Sequence, residues 1–301
     1  MIVPQYWAEA RQQHRAAGKQ ITVRRFGWSD ASQGEAQAHA EQRAGEALSQ
    51  MLAGAKLARR DWKRAYNGSE GVPIREEIVS RHGNVVITRN SYGARCLNTP
   101  DVFFADIDFG EPRAGRFGWL VFALGASAAA GIGLWLQSKW LAAGLFVLAA
   151  LSSAPIARLV KARWLVAKGG VDALALQRID AFMAAHADWG ARLYRTPAGL
   201  RLLATHRTFE PRDPAVEQQL DQLGADPVFT RMCVRQNCFR ARISPKPWRI
   251  GIGAHLRPRP GVWPITPDKL PLRRQWVEAY ERAAATHAAC RFLRSMGSAM
   301  I

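Results

Sequence analysis

The chain has 301 residues, 48% hydrophobic and 22% charged, and its 42 Lys and Arg against 24 Asp and Glu give a formal net charge of +18. That length accommodates two modest domains or one domain with a large insertion, and the hydrophobic content excludes a mostly disordered chain. The one-sided charge favours anionic partners: nucleic acid, nucleotide phosphates or acidic lipid headgroups.

MIVPQYWAEARQQHRAAGKQ reads as a polar helix over about 3–17, not as a secretory signal. QITVRRFG (20–27) reads as a strand and 31–53 as an amphipathic helix packed on a sheet, with a shorter helix running on to about Tyr66. NGSEG (67–71) is a loop by its Asn, Ser and Gly content, and short strands follow near 75–80 and at NVVIT (84–88). In TRNSYGARCLNT (88–99), Arg95 and Asn98 either reach toward a site on the next strand or serve loop and edge-strand hydrogen bonding.

Two apolar runs come next. GWLVFALGASAAAGIGLWL (118–136) and WLAAGLFVLAALSSAPIA (140–157) carry no charge and are separated by Gln137-Ser138-Lys139. About 20 apolar residues cross a hydrocarbon core of roughly 30 Å. Trp119, Trp135, Trp140 and Trp164 stand at or near the ends, where an amphipathic ring prefers the interface. Gly125, Ala129 and Gly133 repeat at four-residue spacing and would let a partner helix approach closely. The alternative, a buried helical hairpin of a soluble core, fits less well with two successive spans joined by a short polar tip. Arg113 and Arg116 precede the first span, Arg158, Lys161, Arg163 and Lys168 follow the second, and the tip carries only Lys139. The positive-inside rule then puts both soluble parts in the cytoplasm of a bacterium and the hairpin in its inner membrane. The organisation expected is an N-terminal part (1–116), a transmembrane hairpin (117–165) and a C-terminal part (166–301).

With the hairpin set aside, VFFADI, VDALALQRIDAFMAAH, WGARLYRT, GLRLLATH, DPAVEQQLDQL and CFRARIS read as strand, helix, strand, strand, helix, strand. Asp213 is the N-cap of the second helix, with Pro214 in its first turn. The expected fold class is α+β, a ferredoxin- or RRM-like βαββαβ core with an inserted two-helix transmembrane hairpin. Taking its first and third strands as parallel neighbours brings Asp106 and Asp108 to the same sheet edge as Thr205 and His206. The last helix is expected to run through LRRQWVEAYERAAATHAACRFLRS, with Trp276, Tyr280, Ala284 and His287 on its core face.

Residues two apart on a strand share a face. Asp106 and Asp108 therefore either grip Mg²⁺ or Mn²⁺, which take hard oxygen ligands and bridge substrate phosphates, or mark a solvated strand end. Arg195, Arg201, Arg207 and His206 are candidate phosphate contacts, Arg by its two-pronged fork. A further basic run carries Arg240, Arg242, Lys246 and Arg249 within 231–274, interleaved with Phe239 and Trp248. Such a run tracks a nucleic-acid backbone while aromatic faces stack bases, or it clamps anionic lipid headgroups.

FFADID followed by a helix and then RLYRTPAGLRLLATH resembles the core of the archaeo-eukaryotic primase (primase-polymerase) superfamily, with Asp106 and Asp108 matching its hydrophobic-D-h-D strand and Ala204-Thr205-His206 its small-x-His motif. The resemblance covers about 100 residues and implies an RRM-like fold, catalytic Asp106, Asp108 and His206, a divalent metal, and nucleotide binding or nucleotidyl transfer. VRRFGWSD, ITRNSYGARCLNT, FADIDF and RARISPKPWR together are also similar to an uncharacterised bacterial two-pass membrane protein family, which implies no activity. The alternative to a nucleotidyltransferase is a non-enzymatic membrane-tethered module binding nucleic acid or anionic lipid. A third is a D-x-D glycosyltransferase, which needs alternating β and α elements over residues 20–100. Oligomeric state is left open.

Four cysteines, at 96, 233, 238 and 290, are too few for a disulfide framework, and Cys233 and Cys238 have no second pair at zinc spacing. Free thiols in a reducing compartment are expected.

Overall fold

The computed structural model describes residues 3–16, 19–61, 72–109, 115–261 and 263–297. The chain is α+β and forms two units, Met1–Asp106 with His186–Ile301, and Ile107–Ala185.

In the first unit, β1 (Tyr6–Ala16) and β2 (Lys19–Ser29) pair antiparallel without a break, from Tyr6 opposite Ser29 to Ala16 opposite Lys19. The helix expected over 3–17 is therefore a strand. Its Ala, Gln and Arg content suits a helix, but an eleven-residue ladder outweighs that preference. Helix α1 (Gln33–Leu52) is capped by Ser32, whose side chain accepts from the Glu35 amide, and buries an alanine stripe at 36, 40, 44 and 47. Ala40 and Ala44 pack with Ala10 of β1. After α1 the chain returns extended along β2. Asp61 fixes it there, accepting from the Phe26 amide (2.9 Å) and from Arg43 (2.9 Å). The short helix expected toward Tyr66 is absent from residues 55–61, and its remainder, like the NGSEG loop, lies outside the described residues.

One four-stranded sheet has the order β3 (Glu77–His82), β4 (Val85–Arg89), β5 (Arg95–Thr99), β9 (Phe239–Arg242), antiparallel throughout. The other has the order β10 (Arg291–Met296), β7 (Ala191–Thr196), β8 (Gly199–Ala204), β6 (Phe104–Asp108). So β6 and β8 are neighbours as expected, but the predicted fourth core strand, β9, lies beside β5 in the first sheet. Arg240 on β9 is buried and needs a carboxylate, which Glu76 at the start of β3 supplies at 2.5 Å. Phe103 at the head of β6 joins the sheets by packing on Phe239 and against Trp189 and Phe209. Between the strands run α5 (Pro214–Leu223), with the expected Asp213 cap on the Ala215 amide (2.8 Å), and α6 (Pro227–Gln236). The last helix, α7, covers only Leu270–Ala284, and the arginine-flanked RFLRSM that follows is β10, an exposed edge strand. His287 is exposed beyond the helix end. Residues 20–100 hold β2, α1 and three antiparallel strands, so β and α elements do not alternate repeatedly among the described residues.

The cysteines are free. Burial raises the Cys233 thiol well above its ordinary value and pushes Cys238 up to about 11. Cys96, Cys233 and Cys238 are buried and Cys290 is partly exposed. A thiol probe at pH 7.5 is expected to label Cys290 alone in the native protein and all four cysteines after unfolding, counted by mass spectrometry.

The second unit contains two helices long and apolar enough to cross a membrane, α2 (Gly115–Trp135) and α3 (Lys139–Ala167), followed by α4 (Gly170–Ala185). Each candidate span is only 11% buried, which sets the pair apart from the core hairpin of a soluble protein. Leu134, Trp135 and Trp140 are each about 80% exposed at the tip. The small-residue stripe faces the partner helix: Ala129 is buried, a Cβ on Gly125 would lie 2.9 Å from the Ala149 Cβ, and one on Gly133 would overlap Ala142. Gly133→Leu is expected to destabilise the hairpin by about 1–3 kcal/mol through overpacking, read as easier separation of α2 from α3 in a denaturing-detergent titration. Leu134→Ala, on the exposed side, should leave that transition in place.

Candidate functional site

Asp106 lies on β6 and Arg201 on β8. The Ala204 amide donates to the Phe103 carbonyl (3.1 Å), three residues from each. At about 3.4 Å per residue, only an antiparallel pairing puts Asp106 opposite Arg201. Arg201 Nε donates to Asp106 Oδ1 (2.5 Å) and Nη2 to Oδ2 (2.8 Å), while Nη1 donates to the Arg242 carbonyl of β9 (2.9 Å). This fork ties the two sheets together, with the Arg201 side chain 6% and the Asp106 side chain 27% exposed. Burial pulls the guanidinium down, but the hydrogen bond and charge of Asp106 outweigh it and hold Arg201 above its ordinary pKa. Both Asp106 oxygens are thus engaged by Arg201, one hydrogen bond to each. Asp108, two residues on, is exposed at the strand end. Among the described residues no group of three or more His, Cys, Asp or Glu is placed to hold a metal ion.

The antiparallel pairing also corrects the expected convergence. His206 follows β8 at its far end, near the beginning of β6 and about five residues of strand away from Asp106. Its Nδ1 lies 3.2 Å from the Gly190 carbonyl, and its ring packs on Trp189 (4.6 Å) and Phe209 (5.4 Å). Burial lowers its pKa. The Arg207 guanidinium sits over the Phe209 ring at 4.3 Å. Arg195 pairs across with Leu200, and Tyr194 with Arg201. Arg195 therefore projects from the opposite sheet face to Arg201. Arg240, expected among the phosphate contacts, is buried on Glu76, and Thr88 donates to the same oxygen (2.7 Å). Asn98 is buried too, donating to the Val86 carbonyl (2.8 Å) and to Thr88 (3.0 Å).

Arg242 and Lys246 converge on a different feature, and Arg249 follows Trp248 in the chain. The β4–β5 turn is organised by Asn90, whose Oδ1 accepts from the amides of Tyr92, Gly93 and Ala94. Tyr92 is carried outward on this turn. Trp248 lies on a single 3-10 turn, Pro247–Arg249, held from below by Tyr280, which donates to the Pro245 carbonyl (2.7 Å) and contacts Ser244 (2.6 Å). The Tyr92, Trp248 and His255 rings form a chain of edge contacts at 5.3 and 5.4 Å. Arg242 donates to the Tyr92 hydroxyl (3.4 Å), and Lys246 Nζ stands 5.4 Å from the Trp248 ring. Trp248 is 48% exposed, and Arg249, Arg257, Arg259, Lys269 and Arg274 are exposed. An exposed ring with cations beside it offers a face on which a base can stack and charges that can pair with phosphate.

Tyr92 and His255 were missed from the sequence. The signal for Tyr92 was its place between Asn90 and Gly93, a turn that must present its central side chain outward. Searches of protein-family models, curated proteins and solved structures give no match to this chain.

Proposed function

We propose that this chain is a membrane-anchored, non-enzymatic module that binds single-stranded nucleic acid on the Tyr92–Trp248–His255 surface. The observation that carries the reading is the half-exposed Trp248 ring flanked by Lys246 and Arg242. Bases stack on the rings, and the exposed arginines neutralise phosphates. In this reading the succession from β6 to α5 is a ferredoxin-like core whose last strand has moved to the neighbouring sheet. The α2–α3 hairpin spans the bacterial inner membrane, with both termini cytoplasmic, supported by the basic flank from Arg158 to Lys168.

Anionic lipid headgroups are the second reading, favoured by tryptophans at both ends of the hairpin. Nucleotidyl transfer at Asp106 and Asp108 with Mg²⁺ or Mn²⁺ would have to use an Asp106 carboxylate already paired with Arg201.

The test is fluorescence anisotropy of a labelled single-stranded oligonucleotide with the full chain in neutral-lipid nanodiscs. Trp248→Ala is expected to weaken binding by about 1–3 kcal/mol, the worth of one stacked base. Affinity unchanged by that substitution would remove the stacking platform from the account. Affinity that appears only with Mg²⁺ and is lost in Asp106→Ala would support the nucleotidyl reading instead.

A further inference from the structure

On the face of the β3–β4–β5–β9 sheet that α7 covers, the strand register sets charges side by side. Glu77 on β3 is opposite Arg89 on β4, and Arg89 is opposite Arg95 on β5. Two arginines facing each other across a ladder repel. Helix α7 adds Glu281, which accepts from Arg89 Nη2 (2.8 Å) and lies 3.6 Å from Arg95, but it also adds Arg273, which donates to Glu77 (2.7 Å). The cluster therefore holds three guanidiniums against two carboxylates. Arg89 and Arg273 are almost fully buried, with side chains 4% and 3% exposed.

Four N–H groups in this cluster are buried with no acceptor: Arg89 Nε, Arg95 Nε, and Arg273 Nε and Nη2. Buried donors are nearly always satisfied, and a buried charge excess is costlier still. Burial lowers the Arg273 pKa, Glu77 offsets part of that, and the charge of Arg89 adds to the lowering. We propose that this cluster binds a single phosphate-type oxyanion, which supplies the missing acceptors and the missing negative charge. Arg273 offers a free Nε–Nη2 edge and Arg89 and Arg95 a free Nε each, the Arg89 Nη groups being taken by the Gly93 carbonyl and Glu281; one fork with two further donors suits a tetrahedral oxyanion better than a halide. The route in is the edge where Arg95 and Glu281 stay 39% and 34% exposed. The site is internal, distinct from the Trp248 surface, and stands whether or not that surface binds nucleic acid. Free phosphate and a phosphate-monoester headgroup share the chemistry.

The experiment measures binding of inorganic phosphate to the full chain in neutral detergent at fixed ionic strength, by ³¹P line broadening, with short-chain phosphatidic acid as a second probe. Saturable binding is expected. Arg273→Lys, which keeps the charge and loses the fork, should raise the Kd by about tenfold or more. Glu281→Gln removes the competing carboxylate charge and should tighten binding, which keeps the test decisive should the lysine variant misfold. Lys56→Ala, an exposed cation that belongs to neither site, should change nothing. Binding of both probes assigns free phosphate as sufficient; binding of phosphatidic acid alone, weakened by Arg273→Lys, assigns a headgroup. No saturable binding of either probe, or binding indifferent to both Arg273→Lys and Glu281→Gln, overturns the proposal.

Discussion

Asp106→Ala is expected to destabilise the first unit by about 3 kcal/mol in a denaturant titration. The substitution strands the Arg201 guanidinium, which is 6% exposed and gives two of its three bonds to Asp106. Breaking one partner from a buried pair costs about 3–5 kcal/mol, and the 27% exposure of Asp106 puts this case at the lower end. Replacing both partners, Asp106→Leu with Arg201→Met, should recover most of the loss, because an apolar pair leaves no buried charge.

Gly93→Val is expected to be equally damaging, at about 2–5 kcal/mol. Gly93 has φ 106°, a region that costs a β-branched residue about 1–3 kcal/mol. A Cβ at that position would also overlap the Trp276 ring, and such overpacking costs typically 1–3 kcal/mol. Trp276→Leu in the same chain should relieve the overlap but not the dihedral strain, so the double variant regains only part of the loss. Thermal unfolding of the four chains in the cycle measures the split. The consequence reaches the proposed binding surface. The same turn carries Tyr92, and Trp276 belongs to the helix that supports Trp248 through Tyr280, so Gly93→Val should also weaken polyanion binding.

Much of the fold was legible where one physical signal dominated. The uncharged runs gave α2 and α3, the Asp213-Pro214 pair gave the start of α5, and Pro197-Ala198 gave the turn between β7 and β8. Local signals failed where a distant partner decides. The Ala- and Gln-rich segment 6–16 is a strand because β2 lies beside it, and β9 joins the sheet that offers Arg240 a carboxylate. The candidate site was legible by residue type and misread in geometry. Arg201 was correctly placed near Asp106, but as a phosphate ligand, when it is the partner of Asp106 itself. The error came from strand direction. The tight β7–β8 hairpin reverses the chain, so a third strand that neighbours the first runs antiparallel to it, and that reversal puts His206 at the other end of the sheet. Within TRNSYGARCLNT the bland alternative holds for most residues: Asn90 caps a turn, Asn98 and Thr88 bond each other, and Arg89 and Arg95 meet Glu281. Tyr92 is the exception that reaches the surface.

The proposed binding of single-stranded nucleic acid to the basic, aromatic surface combines phosphate neutralisation with base stacking. It is tested most directly by the salt dependence of oligonucleotide affinity in neutral-lipid nanodiscs, for the wild type and for Arg249→Ala/Arg257→Ala/Arg259→Ala. Each neutralised phosphate contributes about 0.7 to the slope of log affinity against log salt for a single strand. The triple variant should therefore lose about 2 from that slope while keeping its fold. Identical slopes in the two proteins, or affinity only for nanodiscs of anionic lipid, would contradict the account.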